Sequence, residues 1–412
     1  MDIALVTTTS GLADACRALA HHPYVAVDTE FIRDTTFWPQ LCLIQMAGPE
    51  GDPVIVDTMA PDLDLDPFYR LMNDDGVIKV FHAARQDIEI VYYRAGLIPH
   101  PLFDTQVAAA VCGHGESVGY EQLVRTLAGV QIDKSHRFTD WAQRPLSKPQ
   151  LAYAAADVVH LRPVYEALAG EVERLGRSEW IREEMNILTS PTTYATDPEN
   201  AWKRLKLKVR KPRELAILKA LAAWREREAQ TRDTPRGRII RDDALYEIAL
   251  RAPQDEAALA RLRAVPKGFE RSTRGRAILE VVRQVAEIPA DELPAMPRNN
   301  GPQRTSGPVA DLLKVLLKHL AEEHRVAPRL IASADDIEAL AADDEADVPM
   351  QHGWRYEIFG ATALALKQGR RSLAIEGGRL VLDEREPAPD SAKGKRRRTR
   401  RRKRAEVDSN GA

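Results

Sequence analysis

Cysteine is scarce in this chain of 412 residues, which contains only Cys16, Cys42 and Cys112. The three are widely spaced, and no two of them form a CxxC pair. A disulfide framework needs paired cysteines, and the common zinc sites need closely spaced cysteine or histidine ligands. The sequence therefore predicts neither, and we expect the three thiols to be small buried side chains.

Long hydrophobic runs are also missing. No apolar stretch approaches the roughly 18 residues that a transmembrane helix needs, and the N-terminus lacks the pattern of a signal peptide. We therefore expect no membrane partner and a cytoplasmic location. The phosphate-binding pattern GxxxxGK[ST] is absent as well, so ATP is not an expected partner.

Charge of one sign is concentrated at the C-terminus, although the formal net charge is only −2. The segment from Lys393 to Arg404 holds ten Lys or Arg residues in twelve positions. Without those ten, 49 basic residues face 61 acidic ones, which makes the rest mildly acidic. Such a run attracts phosphate groups without sequence preference. The tail is either a binding segment for RNA or another anionic partner, or a solvated terminus with no partner.

The chain is too long for a single ordinary core, so several domains are expected. Its first part alternates short apolar strand patterns with helical ones, which is typical of an α/β domain. The rest is almost wholly helical in pattern, and proline-rich stretches divide it. We predict an α/β domain, two helical domains and a disordered basic tail, over residues 1–188, 205–288, 306–385 and 386–412.

Two carboxylates end the first predicted strand of the α/β domain, Tyr24 to Thr29. Asp28 and Glu30 are two residues apart, so their side chains project from the same face of the sheet. Apolar residues surround them, and acids within a core strand need a compensating partner. The pair therefore predicts a site for a divalent cation, although a single Asp-x-Glu triplet is a weak signal.

A predicted helix carries a second pair of polar residues. It begins at Lys148, where Ser147 and Gln150 can form a capping box. Tyr153 and Asp157 are four residues apart on it, so they share one face, and the residues between them are all alanine. Asp87 is a further candidate, because it lies in the first turns of a helix just after a predicted strand. Singly, each of these acids could instead be a solvated surface residue.

The order Asp28-x-Glu30, Asp87 and Tyr153-x-x-x-Asp157 resembles the three motifs of the DEDD exonuclease superfamily, in its tyrosine-bearing branch. The segments between them resemble the signatures of the ribonuclease D family: Phe103 to Gln106, Ser117 to Tyr120 and Thr139 to Leu146. This resemblance implies a ribonuclease H-like α/β fold with a mixed sheet flanked by helices. It also implies metal-dependent 3′-5′ exonuclease activity on RNA, with release of 5′-mononucleotides.

The same resemblance assigns roles to the five motif residues. It implies two Mg²⁺ ions, with Mn²⁺ as an alternative ion. Asp28 would bridge both ions, Glu30 and Asp157 would complete the first site, and Asp87 would hold the second. Tyr153 would orient the attacking water, because a phenol with an ordinary pKa of about 10 is a poor base at pH 7.

Four further residues are candidates for contact with the substrate. His82 and Arg85 lie close to Asp87 in the sequence, and Gln45 and Trp141 could hydrogen-bond to or stack on unpaired 3′ nucleotides. For Arg85 the alternative is a solvated surface position. For Trp141 a role in the core is equally consistent with the sequence.

The first helical domain resembles an HRDC domain, in segments that include Ala223 to Arg227 and Ile239 to Asp242. Modules of this family commonly assist nucleic-acid binding, and a run of basic residues precedes it, from Lys203 to Arg213. The second helical domain fits a diverged HRDC-like bundle, as found in ribonuclease D. Its acidic patch, Asp335 to Asp347, is not typical of a phosphate-binding surface.

Together these features predict an exoribonuclease that trims the 3′ ends of structured RNA, with transfer RNA precursors as the partner that the resemblance implies. One alternative is a 3′-5′ DNA exonuclease of the same superfamily, since the metal site alone does not separate RNA from DNA. Another is a non-catalytic RNA-binding adaptor on the same fold. The sequence does not indicate an oligomeric state.

Overall fold

The computed structural model describes residues 3–133, 139–206, 209–296 and 307–385. The chain divides into two compact units, of which the first comprises Met1–Gln303 together with Ala321–Ile331. The second comprises Arg304–Leu320 and Ala332–Ala412.

A six-stranded mixed sheet forms the centre of the α/β domain, with strand order β1-β4-β3-β2-β5-β6. The antiparallel pairs are β2 with β3 and β3 with β4, and the other neighbours are parallel. Its strands are β1 (Ala4–Val6), β2 (Tyr24–Ile32), β3 (Gln40–Ala47), β4 (Val54–Asp57), β5 (Ile78–Phe81) and β6 (Leu102–Asp104). The predicted mixed α/β sheet is confirmed. The sequence patterns missed β1 and β6, which are three-residue strands at the two edges.

Seven helices accompany this sheet in the described part of residues 3–188. They are α1 (Thr9–Leu19), α2 (Asp66–Met72), α3 (Arg85–Ala95), α4 (Thr105–Cys112), α5 (Tyr120–Leu123), α6 (Lys148–Arg174) and α7 (Ser178–Leu188). Helix α5 continues as a π-helical turn, Val124–Ala128. Strands and helices together bury a large core cluster that includes Val25, Val27 and Ile88, and a smaller one that includes Leu43 and Ile55.

Helix α6 begins where the capping pattern predicts. The backbone N–H of Ser147 donates to Oε1 of Gln150 at 2.9 Å, and the N–H of Gln150 donates to Oγ of Ser147 at 3.4 Å. Ala154 and Ala155 are fully buried against the sheet, which shows why small residues are needed on this face. The helix therefore lies close to β2 and β3.

A helical bundle follows the α/β domain within the first unit. It comprises α8 (Pro212–Thr231), α9 (Arg236–Ile239), α10 (Asp242–Arg251), α11 (Glu256–Ala260) and α12 (Thr273–Ala286), with short 3₁₀ turns before α8 and α12. Its core includes Leu221, Leu245 and Ile278, all fully buried. Part of the basic run before it is structural, because Arg213 donates to the carbonyl oxygens of Val285, Ala286 and Ile288 at the end of α12.

The C-terminal part begins with α13 (Gly307–His324) and α14 (Pro328–Ile331), and residues 321–331 of it belong to the first unit. The remaining elements are α15 (Ala334–Ala342), α16 (Gly353–Arg355), a π-helical turn (Tyr356–Gly360), α17 (Ala361–Lys367), β7 (Arg371–Glu376) and β8 (Arg379–Glu384). Strands β7 and β8 form an antiparallel hairpin. Gly377 and Gly378 have φ angles of 56° and 80°, which explains the two glycines of its turn. The predicted basic tail lies outside the described residues.

None of the helices in the described ranges combines the length and the apolar character that crossing a membrane requires.

Candidate active site

Strand β2 places the first two motif carboxylates. It lies inside the sheet between β3 and β5, and Asp28 and Glu30 project from the same face of it. The pairing of β2 with β3 shifts between Glu30 and Phe31. Such a bulge bends the strand locally and re-aims the side chains beside it. Glu30 therefore occupies the last regular position before the bend.

Helix α6 brings Tyr153 and Asp157 to the same place. Carboxylate oxygens of Asp28, Glu30 and Asp157 all lie within 4.8 Å of one another. Together with Tyr153 they line a cleft of about 490 Å³. The other residues that line it include Thr29, His82, Gly119, Tyr120, Gln122, Ile132 and Leu161. Four of the five predicted motif residues thus share one cleft.

The carboxylates of the acidic cluster repel one another when they are ionised, unless a cation neutralises them. Burial raises the pKa of Asp28 to about 6. Burial also raises the pKa of Glu30, and the neighbouring carboxylates of Asp28, Asp157 and Asp87 raise it further, to about 10. At neutral pH these groups compete for protons, and a bound divalent cation would allow all of them to ionise. Within the described residues, only carboxylate oxygens make up the cluster, and hard cations such as Mg²⁺ prefer oxygen ligands. The donor set therefore fits a hard divalent cation.

Asp87, the fifth motif residue, lies beside this cluster and not within it. It is 7% exposed in the first turn of α3, and its Oδ1 accepts a hydrogen bond from the Thr29 hydroxyl. Burial and the nearby Asp28 carboxylate raise its pKa well above the ordinary value. Thr29 stands between Asp28 and Glu30 in β2, so this hydrogen bond ties α3 to the strand that carries both carboxylates.

Asp104 fixes the turn that leads into α3. In this turn Ala83 has a φ of 58°, a conformation that residues other than glycine rarely adopt. The Asp104 carboxylate accepts hydrogen bonds from the backbone N–H groups of Ala83 and Ala84 at 3.1 and 2.8 Å. It also caps α4 by accepting from the N–H of Gln106 at 2.8 Å. Asp104 therefore fixes the backbone that leads to Asp87, although its own side chain does not line the cleft.

His82 and Arg85, the candidates on this turn, have different environments. His82 is half-buried, lines the cleft and has its Nδ1 3.0 Å from Oγ1 of Thr105. Burial lowers its pKa, which favours the neutral ring. Arg85 is exposed at the start of α3 and does not line the cleft. The geometry therefore keeps His82 as the closer candidate for a substrate contact.

The structure does not support Gln45 and Trp141 as substrate contacts. Gln45 is fully buried opposite Asp28 on β3, and Trp141 is only 3% exposed, with its ring centroid 6.1 Å from that of Tyr153. A nucleotide cannot reach either side chain without opening the core. Trp141 instead packs in a core cluster with Ala154 and Ala155 of α6, which is the alternative that the sequence left open.

Tyr120 is a residue of the site to which the sequence assigned no role. Its ring is 5.4 Å from that of His82, and its hydroxyl donates to the backbone carbonyl of Asp157. Burial raises its pKa well above the ordinary value, and the charges of Asp157 and Asp28 act in the same direction. The sequence did contain a signal for Tyr120, because it is the last residue of the Ser117 to Tyr120 signature. It is also the first residue of α5, and it lines the cleft.

Comparisons with known proteins agree with this geometry. A family profile described as 3′-5′ exonuclease matches residues 3–173, and the HRDC domain profile matches residues 214–282. The first match contains all five motif residues, and the second covers most of the bundle from α8 to α12. The predicted pairing of a nuclease with an HRDC bundle is thereby confirmed.

Several relatives match over most of their length. The chain is 53% identical to ribonuclease D of Nitrobacter hamburgensis over 384 residues, which cover 92% of this chain and 99% of the relative. It is 48% identical to ribonuclease D of Gluconacetobacter diazotrophicus, with 92% and 96% covered. The crystal structure of Escherichia coli RNase D superimposes with a TM-score of 0.80 at 31% identity, covering 90% of this chain and 99% of that one. The chain therefore belongs to the ribonuclease D family of 3′-5′ exoribonucleases.

Proposed function

We propose that this exoribonuclease removes nucleotides one at a time, as 5′-mononucleotides, from the 3′ ends of structured RNA, with transfer RNA precursors as its substrates. We also propose that two Mg²⁺ ions bound by its four motif carboxylates support the hydrolysis. The observation that carries the proposal is the single cleft in which the oxygens of Asp28, Glu30 and Asp157 lie within 4.8 Å of one another. Asp87 is tied to the same strand through Thr29.

The four carboxylates would be shared between the two ions. Asp28 would contact both, Glu30 and Asp157 would hold the first, and Asp87 would hold the second. Bound there, the two cations would lower the pKa of the attacking water and neutralise charge on the leaving oxygen. Mn²⁺ has similar ligand preferences and is expected to substitute.

The protein side chains would orient the reactants. Tyr153 lies on α6 one turn before Asp157 and lines the cleft, so its hydroxyl can position the attacking water. The neutral His82 ring can contact the 3′-terminal nucleotide, while Arg85 is placed to meet a phosphate at the surface. Alanine at His82 should therefore raise KM for RNA more than alanine at Arg85.

Metal stoichiometry tests the assignment of the carboxylates. Titration of the protein with Mn²⁺, followed by calorimetry and electron paramagnetic resonance, should show two coupled ions. In Asp87→Asn, one Mn²⁺ ion should remain bound, and the signal that arises from coupling between two ions should be lost. In Asp28→Asn, the binding of both ions should be weaker. One ion in the wild type would contradict the two-metal proposal.

The choice of substrate has support from a relative. The RNase D of Escherichia coli is described as an exoribonuclease involved in structured RNA processing. The test is a competition in one tube among a transfer RNA precursor with extra 3′ nucleotides, an unstructured RNA of the same length and a matched DNA. We expect the precursor to be trimmed first. Preferential loss of the DNA strand would instead support the alternative of a DNA exonuclease, and equal trimming of both RNAs would refute the preference for structure.

A further inference from the structure

The loop that joins β2 to β3, residues 33–39, is the feature from which the inference starts. It follows the catalytic strand directly, three residues after Glu30. The bulge between Glu30 and Phe31 separates Glu30 from this loop. Because a bulge is a point where a strand bends, the position of the loop helps to set the direction of the Glu30 side chain.

A turn of the HRDC bundle contacts this loop. Asp233 lies between α8 and α9, and its Oδ1 accepts hydrogen bonds from the backbone N–H groups of Phe37 and Trp38 at 3.0 and 2.9 Å. Asp233 has a φ of 45°, which Asp and Asn tolerate better than most residues. One charged oxygen thus holds two consecutive peptide groups of the nuclease loop.

Packing strengthens the same contact. Phe37 belongs to the α/β domain by sequence, yet it is 7% exposed and packs within the core of the HRDC bundle. The Arg236 guanidinium lies 4.4 Å from the centre of its ring. Arg236 is itself fixed by two hydrogen bonds of 2.6 Å to Glu226, which is 1% exposed. The bundle therefore presents a rigid surface to the loop.

The other side of the loop is bound to α3, the helix that carries Asp87. Arg33 donates to both carboxylate oxygens of Glu89 at 3.0 Å. The rings of Trp38 and Tyr93 stack with their centroids 3.9 Å apart and their planes 9° apart. The loop thus connects the HRDC bundle to both elements that supply metal-binding carboxylates on this side of the cleft, β2 and α3.

We propose that Asp233 of the HRDC bundle is a positioning residue for the nuclease reaction, which acts by holding the β2–β3 loop behind the catalytic strand. The bundle then contributes to turnover itself, in addition to any contact that it makes with RNA. This inference rests on the exonuclease activity of the same cleft.

The test uses the full chain and two substrates of different length. The RNA dinucleotide pUpU offers only one bond to cleave, and a long single-stranded RNA can also reach the bundle. Asp233→Gly removes the acceptor oxygen while leaving a residue that tolerates the positive φ. Asp233→Asn keeps a carbonyl acceptor and serves as the conservative variant. Asp255→Ala is the matched control, because Asp255 caps α11 of the same bundle by accepting from Ala258.

We expect Asp233→Gly to lower kcat by at least about tenfold on both substrates, because displacement of a catalytic group by about 1 Å can reduce rates about 100-fold. KM for the dinucleotide should change little, Mn²⁺ affinity should fall, and Asp233→Asn should retain most of the rate. A wild-type rate on the dinucleotide, or a loss confined to long RNA, would overturn the proposal, as would an equal loss in Asp255→Ala. The wild-type rate tests the exonuclease function itself, and a wild type that cleaves neither substrate would overturn that function. The ratio of the variant rate to the wild-type rate tests only the role of Asp233.

Discussion

The Asp104 carboxylate accepts a hydrogen bond from the backbone N–H of Ala84 at 2.8 Å and so joins the start of α4 to the turn before α3. The two residues are 20 positions apart in the chain. Because the same carboxylate also accepts from Ala83 and Gln106, one buried side chain organises two backbone segments. The segment that carries His82 and Asp87 depends on it.

Replacement of Asp104 by alanine should therefore reduce both stability and turnover. Buried N–H groups would lose their acceptor, so we expect a loss of about 1–3 kcal/mol in the free energy of unfolding. Asp104→Asn, which keeps one carbonyl oxygen, should lose less. Urea denaturation and the rate on a short RNA measure the two effects. The matched control is Asp197→Ala, since Asp197 caps an exposed turn; if both alanine variants lost equal activity, the positioning role of Asp104 would be refuted.

Repulsion within the acidic cluster predicts that Glu30 destabilises the metal-free protein. Glu30 has its pKa raised by burial and by three carboxylates, so Glu30→Gln should raise the melting temperature in the presence of a chelator. Mg²⁺ should stabilise the wild type, because it binds the folded state, and should stabilise the variant much less. Differential scanning fluorimetry with and without Mg²⁺ measures this. A variant that melts below the wild type in chelator would contradict the account.

The same shift gives the stability a pH dependence. The pKa of Glu30 is about 10 in the folded protein against 4.5 for the ordinary group. Between these values the folded state holds a proton that the unfolded state has lost, so the metal-free protein should lose stability as the pH rises. Saturating Mg²⁺ should reduce this dependence of stability on pH, and so should Glu30→Gln. Unfolding midpoints measured in chelator across this pH range test the sign; stability that rises with pH through the range would be the wrong sign.

Burial of Trp141 predicts a structural effect of its removal. Because the side chain is 3% exposed beside Tyr153, Trp141→Ala should lower the free energy of unfolding by about 3–5 kcal/mol. Trp141→Phe fills more of the space and should lose less. Chemical denaturation of both variants, together with their KM for RNA, separates a structural role of Trp141 from contact with the substrate. A stable Trp141→Ala protein with only a raised KM would show that the tryptophan does meet the substrate.

The parts of the site that could be predicted from the sequence depend on local geometry. The alternation of a strand puts Asp28 and Glu30 on one face, and the capping box of Ser147 and Gln150 sets the start of α6 and with it the positions of Tyr153 and Asp157. These patterns need no knowledge of distant residues. The resemblance to a known family then supplied the chemistry that joins them.

The parts that could not be predicted depend on contacts between distant segments. Strand β1 is recognisable only through its pairing with β4, in which Ala4 lies opposite Val54, 50 residues further along the chain. The burial of Gln45 follows from the packing of α6 over the sheet. The contact of Asp233 with Phe37 joins residues 196 positions apart, for which neither segment carries a local signal.

The most direct test of the account is a time course with 5′-labelled RNA that carries extra 3′ nucleotides, resolved on a gel with Mg²⁺ or chelator, for the wild type and for Asp28→Asn. We expect the wild type to shorten the RNA stepwise from its 3′ end in Mg²⁺, with no shortening in chelator and almost none by the variant. RNA shortened equally well in chelator or by Asp28→Asn would contradict the assignment of the carboxylate cleft as a metal-dependent active site.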